Sequence, residues 1–339
     1  MVQKSFFCFL TLVLTLALAS TSLSVAQNRR VARKATTPSL LTSLPPSDAV
    51  AVVKIKRVLD EALPKLLAAN PTRLAEAVAQ IDRFKTTTGI DPRSFNEMVF
   101  GIRYTFPAEG VTKLRTVALA RGTFNPGAMV AAGRIAANGK YQEQQYQGKT
   151  IYIFSLDQQI NLFGFFDGRI GDLAVCPIDS NTLVLGELQS VHEVIALKKG
   201  GGASNAEIIT LATRDPGALA GFGAKISEEL RQNLSVSNDA IASDLTAVRQ
   251  AYGSIGMTEK DLELTLAART VDEYSARNLG NTVEALKQFG GLFVNRLPAA
   301  KAALARSALN GLKITSQGNE LLIKTTVAQT EIAPMMVGL

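Results

Sequence analysis

The sequence predicts an α+β fold built from two duplicated units, each a mainly antiparallel sheet packed with helices. Three observations carry this. A glycine triplet, Gly200-Gly201-Gly202, cuts the chain into two nearly equal parts. Stretches on either side of it align without gaps, 74–95 on 241–262 and 173–188 on 312–327. Consecutive strand–turn–strand patterns demand antiparallel pairing, which a doubly wound parallel sheet lacks.

Residues 1–26 read as an export signal. Lys4 begins a short positive region, an apolar run follows from Phe6 to Leu18, and Ser24-Val25-Ala26 supplies small residues before a cleavage point at Gln27. The run is short for a membrane span. Periplasmic or secreted localisation is therefore expected, with no transmembrane anchor after signal cleavage. Residues 27–47 hold Arg29, Arg30, Arg33 and Lys34 and then Thr, Ser and three prolines, the composition of a flexible basic leader.

The first unit is expected over 48–199. Val50 to Ile55 is a β-branched run. Leu74, Val78 and Ile81 recur at i, i+4 and i+7, one apolar face of a helix. Gly89 stops that helix, and a strand follows over 98–104. Asn125-Pro126 is an N-cap with proline at the first helical position. The 173–188 stretch reads as a hairpin turning at Asp179-Ser180-Asn181, and 190–199 as a short terminal helix.

Residues 200–204 form the linker and 205–339 the second unit. It is expected to open alike. Ile208 to Ala212 would be its first strand, and Asp215-Pro216 would start a helix over 217–232 with Leu219, Phe222, Ile226 and Leu230 as its stripe. Ile241, Leu245 and Val248 match Leu74, Val78 and Ile81, and Gly256-Met257 match Gly89-Ile90. A strand over 262–269, a helix over 272–289 and a hairpin turning at Gly318-Asn319 complete the copy. Four matched features in the same order favour duplication over chance.

Composition narrows the chemistry. The chain has 339 residues with 47% apolar and 19% charged content, which is globular. The net charge of +7 lies mostly in Lys4 and the 29–34 cluster, so no basic face for nucleic acid is expected. Cys8 leaves with the signal, so Cys176 is alone and reads as a buried, inert thiol. His192 is the only histidine. It reads as a surface or satisfied residue rather than a catalytic base. One His and one Cys exclude the zinc patterns. The 167–172 stretch, Asp-Gly-Arg-Ile-Gly-Asp, lacks the alternating acids of a calcium loop. Gly221-Phe222-Gly223 lacks the third glycine of a dinucleotide fingerprint, and Gly253-Ser254-Ile255-Gly256 lacks the nucleophile-elbow frame. No catalytic residue, metal site or cofactor is expected.

One segment stands apart. Phe163, Phe165 and Phe166 lie among glycines and polar residues, with no counterpart in the second copy. Either they plug the core or cap the sheet, or they form an apolar patch for a partner, a lipid or an apolar ligand. They are the candidate interaction site.

Leu44-Pro45-Pro46-Ser47-Asp48-Ala49-Val50, Ile81-Asp82-Arg83-Phe84-Lys85, Thr88-Gly89-Ile90-Asp91 and Thr182-Leu183-Val184-Leu185-Gly186 resemble stretches of uncharacterised exported bacterial proteins, notably of acidobacteria. The resemblance implies a location and brings no catalytic residue. Two functions follow from this reading. The first is an exported non-catalytic protein of the envelope or extracellular space that binds a partner or apolar ligand. The alternative is a hydrolase-type enzyme using Asp/Glu or Ser/Lys chemistry without metal or histidine.

Overall fold

The computed structural model describes residues 39–88, 91–108, 111–162, 166–197, 206–232, 239–294 and 299–332. The export signal, most of the leader and the 200–204 linker lie outside them. The fold is α+β. The strands are β1 (Ala49–Val53), β2 (Phe95–Ala108), β3 (Val111–Gly122), β4 (Tyr141–Tyr146), β5 (Lys149–Leu162), β6 (Phe166–Pro177) and β7 (Thr182–Gly186) in the first half. The second half holds β8 (Ala220–Lys225), β9 (Val248–Met257), β10 (Asp261–Thr270), β11 (Lys313–Gln317) and β12 (Glu320–Ala328). All join one antiparallel sheet in the order β11-β12-β10-β9-β8-β1-β2-β3-β7-β6-β5-β4.

Helical segments follow the strands. They are α1 (55–66, irregular), α2 (Pro71–Thr88), α3 (Pro126–Ala136), α4 (Leu188–Leu197) and α5 (Ala206–Ala212). After β8 come α6 (Glu228–Gln232), α7 (Asp239–Thr246), α8 (Glu273–Val294), α9 (Ala299–Gly311) and α10 (Gln329–Ile332). Local chemistry sets several ends. Asn125 caps α3 by accepting from the Ala128 amide at 3.1 Å. Gln147 and Gly148, at φ 48° and 76°, form the two-residue turn between β4 and β5. Such a turn matches the twist of the strands it joins.

Alternation along the strands divides the core between the two faces. On one face, α4, α5 and a short 3-10 turn at Leu40–Ser43 cover Val50, Val99, Val117, Leu119, Ile151, Cys176 and Val184. On the other, Met129 of α3 packs with Phe95, Phe154 and Leu183. Leu279 and Val283 of α8 cover Val248, Leu321 and Ile323 there. Each such side chain contributes about 1.5–3 kcal/mol on burial. In α2 only part of the expected stripe is inside: Ile81 is buried, while Val78 is 39% exposed.

The middle of the sheet corrects the sequence reading. Ile208 to Ala212 is helix α5 and not a strand, and most of the 217–232 stretch is strand β8 and not a helix. The reason lies in Gly221 and Gly223. A Cβ at Gly221 would stand 2.2 Å from the Ala212 carbonyl oxygen, and one at Gly223 would stand 2.3 Å from that of Ile208. The bare backbone of β8 lets α5 lie directly on it. Asp215-Pro216 starts no helix: Asp215 Oδ1 accepts from the Gly217 amide at 2.8 Å, closing a local turn before β8.

The halves run through the same strand order, β1-β2-β3-β7-β6 and β8-β9-β10-β12-β11, with β4 and β5 added at one edge. The 173–188 and 312–327 stretches fall on the hairpins β6–β7 and β11–β12. The other alignment is corrected. Residues 74–88 are helix, but the 241–262 stretch is the end of α7, all of β9 and the start of β10. Val248, matched to helical Ile81, opens a strand. Strand 98–104 belongs to β2, whereas 262–269 is β10, which takes the place of β3 in the order. The halves also meet within one sheet, β1 pairing β8 from Ala49↔Ala224 to Val53↔Ala220.

Candidate functional site

Of the three phenylalanines singled out above, Phe163 and Phe165 lie outside the described residues. Phe166 opens β6. Strands β5 and β6 pair from Leu162↔Phe166 down to Ser155↔Asp172. Strand β4 accompanies β5 only as far as Phe154, and β7 accompanies β6 only from Ala174 onward. Among the described residues, 155–162 and 166–172 therefore form a two-stranded arm. Ser155 donates to Asp172 Oδ1 at 2.6 Å at its base. The 167–172 stretch is strand, so its two aspartates do not share a loop.

The other singled-out residues lie in strands and helices, and His192, expected at the surface or satisfied, is half-buried with its Nε2 lacking a hydrogen-bond partner. Cys176 is fully buried between the strands and α4, and burial pushes its thiol up to about 11 against a minor opposing effect of Lys149. Such a thiol is a poor nucleophile. His192 on α4 stacks on Tyr146 with ring centroids 4.1 Å apart. Gly221-Phe222-Gly223 and Gly253-Ser254-Ile255-Gly256 lie inside β8 and β9. Among the described residues no group of three His, Cys, Asp or Glu side chains is placed to hold a metal ion.

A second feature went unread in the sequence. On the α5 face of the second half, sheet register lines up Gln250, Arg269 and Glu320 across β9, β10 and β12. Arg269 Nε donates to Glu320 Oε2 at 2.9 Å, and its Nη1 to Gln250 Oε1 at 3.3 Å. Arg214 Nη1 donates to Glu320 at 3.2 Å and to the Tyr252 hydroxyl. Both guanidinium groups lie over the Tyr252 ring, at 4.9 and 5.7 Å from its centroid. Beside them opens a recess of about 730 Å³, lined also by Glu207, Arg249, Thr270 and Asn319. Register shifts at Arg269/Thr270, so Arg249 is the extra residue of a β-bulge. Bulges re-aim side chains in this way.

The electrostatics of the cluster are those of a settled ion-pair network. Burial is the largest single influence on Glu320 and raises its pKa. Hydrogen bonds from Tyr252, Arg269 and Arg214 outweigh it and hold the carboxyl below its ordinary value. Tyr252 is pushed up to about 12, by burial first and by Glu320 second. Near neutral pH the acid is ionised and the phenol protonated, so neither is poised to exchange a proton. Only the three-dimensional register could reveal the site, because Gln250 and Glu320 are far apart in sequence.

No family model matches the chain, and no curated protein matches it. Three crystal forms of TP0453 are distant structural neighbours. Form III shares 9% identity over 90% of this chain and 100% of its own, with a TM-score of 0.41. Form IV shares 10% over 89% and 97%, with a TM-score of 0.41. Form I shares 9% over 88% and 97%, with a TM-score of 0.43. Likeness at this level carries no inference about what the chain does. Among the described residues no helix is long and apolar enough to cross a membrane.

Proposed function

We propose that the chain is an exported, non-catalytic binding protein that meets a partner or an apolar ligand through the segment of Phe163, Phe165 and Phe166, which joins β5 to β6 in sequence. The observation that supports this is the arm itself. Residues 155–162 pair with 166–172, and among the described residues no third strand pairs with either. A lone two-stranded ribbon is marginal in water and gains by being covered. The sequence between the two strands brings Phe163, Phe165 and Phe166 within four residues, a composition well suited to contact. Export rests on the tripartite signal at 1–26 and on the resemblance to exported bacterial proteins. The alternative, a hydrolase working through Asp/Glu or a Ser/Lys pair, finds no support in the acidic group of the polar recess. Glu320 is locked between two arginines, with its pKa held low rather than raised.

The test replaces Phe163, Phe165 and Phe166 together with serine. The unchanged protein is expected to enhance the fluorescence of anilinonaphthalene sulfonate, an apolar probe, and the variant to keep its melting temperature and lose that enhancement. A variant that unfolds shows that these side chains are core. One that folds and still binds the probe places the contact elsewhere. N-terminal sequencing of the exported product is expected to begin at Gln27; an intact Met1 overturns the export reading.

A further inference from the structure

The two ends of the sheet are unlike. At one end, β11 carries Lys313, and Lys287 of α8 donates to the Leu312 carbonyl beside it at 3.0 Å. A lysine on a short edge strand is a common guard against pairing with another chain. At the other end stands β4, Tyr141-Gln142-Glu143-Gln144-Gln145-Tyr146, with no lysine and no proline. Its one charge is neutralised within the chain, since Glu143 is paired with Arg134 of α3, which also lies over the Tyr141 ring at 5.0 Å. No described strand pairs with its outer side.

The turn fixes which backbone groups that outer side offers. A two-residue turn at Gln147-Gly148 makes Tyr146↔Lys149 a hydrogen-bonded pair. Alternation makes Gln144↔Ile151 and Gln142↔Ile153 hydrogen-bonded too, so the N–H and C=O groups of Tyr141, Glu143 and Gln145 point outward. An antiparallel partner must set outward residues against outward residues. This leaves two central registers. Centring on Glu143 would place two carboxylates directly opposite, which destabilises. Centring on Gln144 sets Glu143 against Gln145, Gln142 against Tyr146, and Gln144 against itself. In this register Glu143 faces a neutral amide and Gln144 faces its own copy, so a second copy of the chain offers a complement with no like charges opposed.

We propose that β4 pairs antiparallel with β4 of a second copy about a two-fold axis at Gln144, making one sheet continuous through both molecules. Each Glu143–Gln145 pair exchanges both backbone N–H···O bonds. The interface is isologous and closes on itself, so it makes a dimer and not a filament. It does not depend on the arm or its phenylalanines.

Light scattering on the size-fractionated full-length protein is expected to give twice the chain mass. Gln145→Pro removes an outward N–H that β5 does not use. It is expected to give the single-chain mass at an unchanged melting temperature. Should that variant fail to fold, Gln144→Lys supplies the answer by placing two lysines across the axis. It is expected to be a single chain at low salt, and Gln144→Glu likewise. Mixing the two is expected to restore the double mass. A wild-type protein at single-chain mass throughout its soluble range overturns the proposal. So does a dimer that survives the Gln144 charge variants unmixed.

Discussion

The contact between α5 and β8 makes a quantitative demand on one glycine. In Gly223→Ala the new methyl carbon would meet the Ile208 carbonyl oxygen at 2.3 Å, Leu211 Cβ at 2.9 Å and the Ala212 amide nitrogen at 3.0 Å. The first is about 1 Å short of ordinary contact. All three belong to α5, two of them to its backbone, so no flexible side-chain end can swing aside. The helix itself must lift, and with it Ile208, Leu211 and Ala212, which are all buried. Overpacking of this kind costs about 1–3 kcal/mol, and a rigid neighbour puts the expectation near the upper end. For a chain of this length that corresponds to a fall in melting temperature of about 1–2 °C per kcal/mol. Gly291→Ala is the matched control. Gly291 lies in α8 with nothing within 4 Å of the added carbon, so the same methyl is expected to stabilise by up to about 1 kcal/mol. Urea unfolding followed by circular dichroism reads both. Gly223→Ala as stable as the wild type would refute the seating of α5 on β8, and with it the covering of the β1–β8 pairing.

Two further outcomes follow from the buried groups. Native Cys176 is expected to resist a thiol reagent at pH 8 and to react fully in urea, because burial holds its pKa near 11 and shields the sulfur; fast native labelling would show that the strand opens. Glu320 has a folded pKa below the ordinary glutamate value of 4.5, so its contribution is complete above about pH 4.5 and is lost as pH falls through the folded value. Glu320→Gln is expected to be less stable at neutral pH and to show a shallower acid-side decline, and parallel pH–stability curves for the two proteins would contradict this.

Elements that answer to local chemistry could be read directly. The Asn125 cap, the turns of the β6–β7 and β11–β12 hairpins, and two of the three expected stripe positions of α8, Leu279 and Val283 but not the exposed Leu286, each follow from a few neighbouring residues. The misreadings cluster where distant contacts decide. Leu219, Phe222, Ile226 and Leu230 fit a helical spacing, but Gly221 and Gly223 are there to admit α5, and that requirement is visible only once the helix is in place. Ile208 to Ala212 is β-branched in part yet helical, since a short apolar run fits either state until packing chooses. Val248 sits at a helical spacing from Ile241 and Leu245 but begins β9, because its backbone pairs with Thr270. The polar recess was invisible for the same reason: Arg214, Tyr252, Arg269 and Glu320 meet only through sheet register.

The pairing of β1 with β8 also bears on the order in which this chain can be made. Ala49-Val50-Ala51-Val52-Val53 gains its second neighbour only when residues 220–224 exist. Until then it is an apolar edge without charge or proline, the kind of strand that templates unwanted association. Bringing its two sides together closes a loop of about half the chain, a slow step by contact-order reasoning. A synthesis intermediate that stops short of Ala220 therefore carries its most association-prone strand open. Cutting the gene at the glycine triplet would leave the first half in that condition permanently, whatever else it folds.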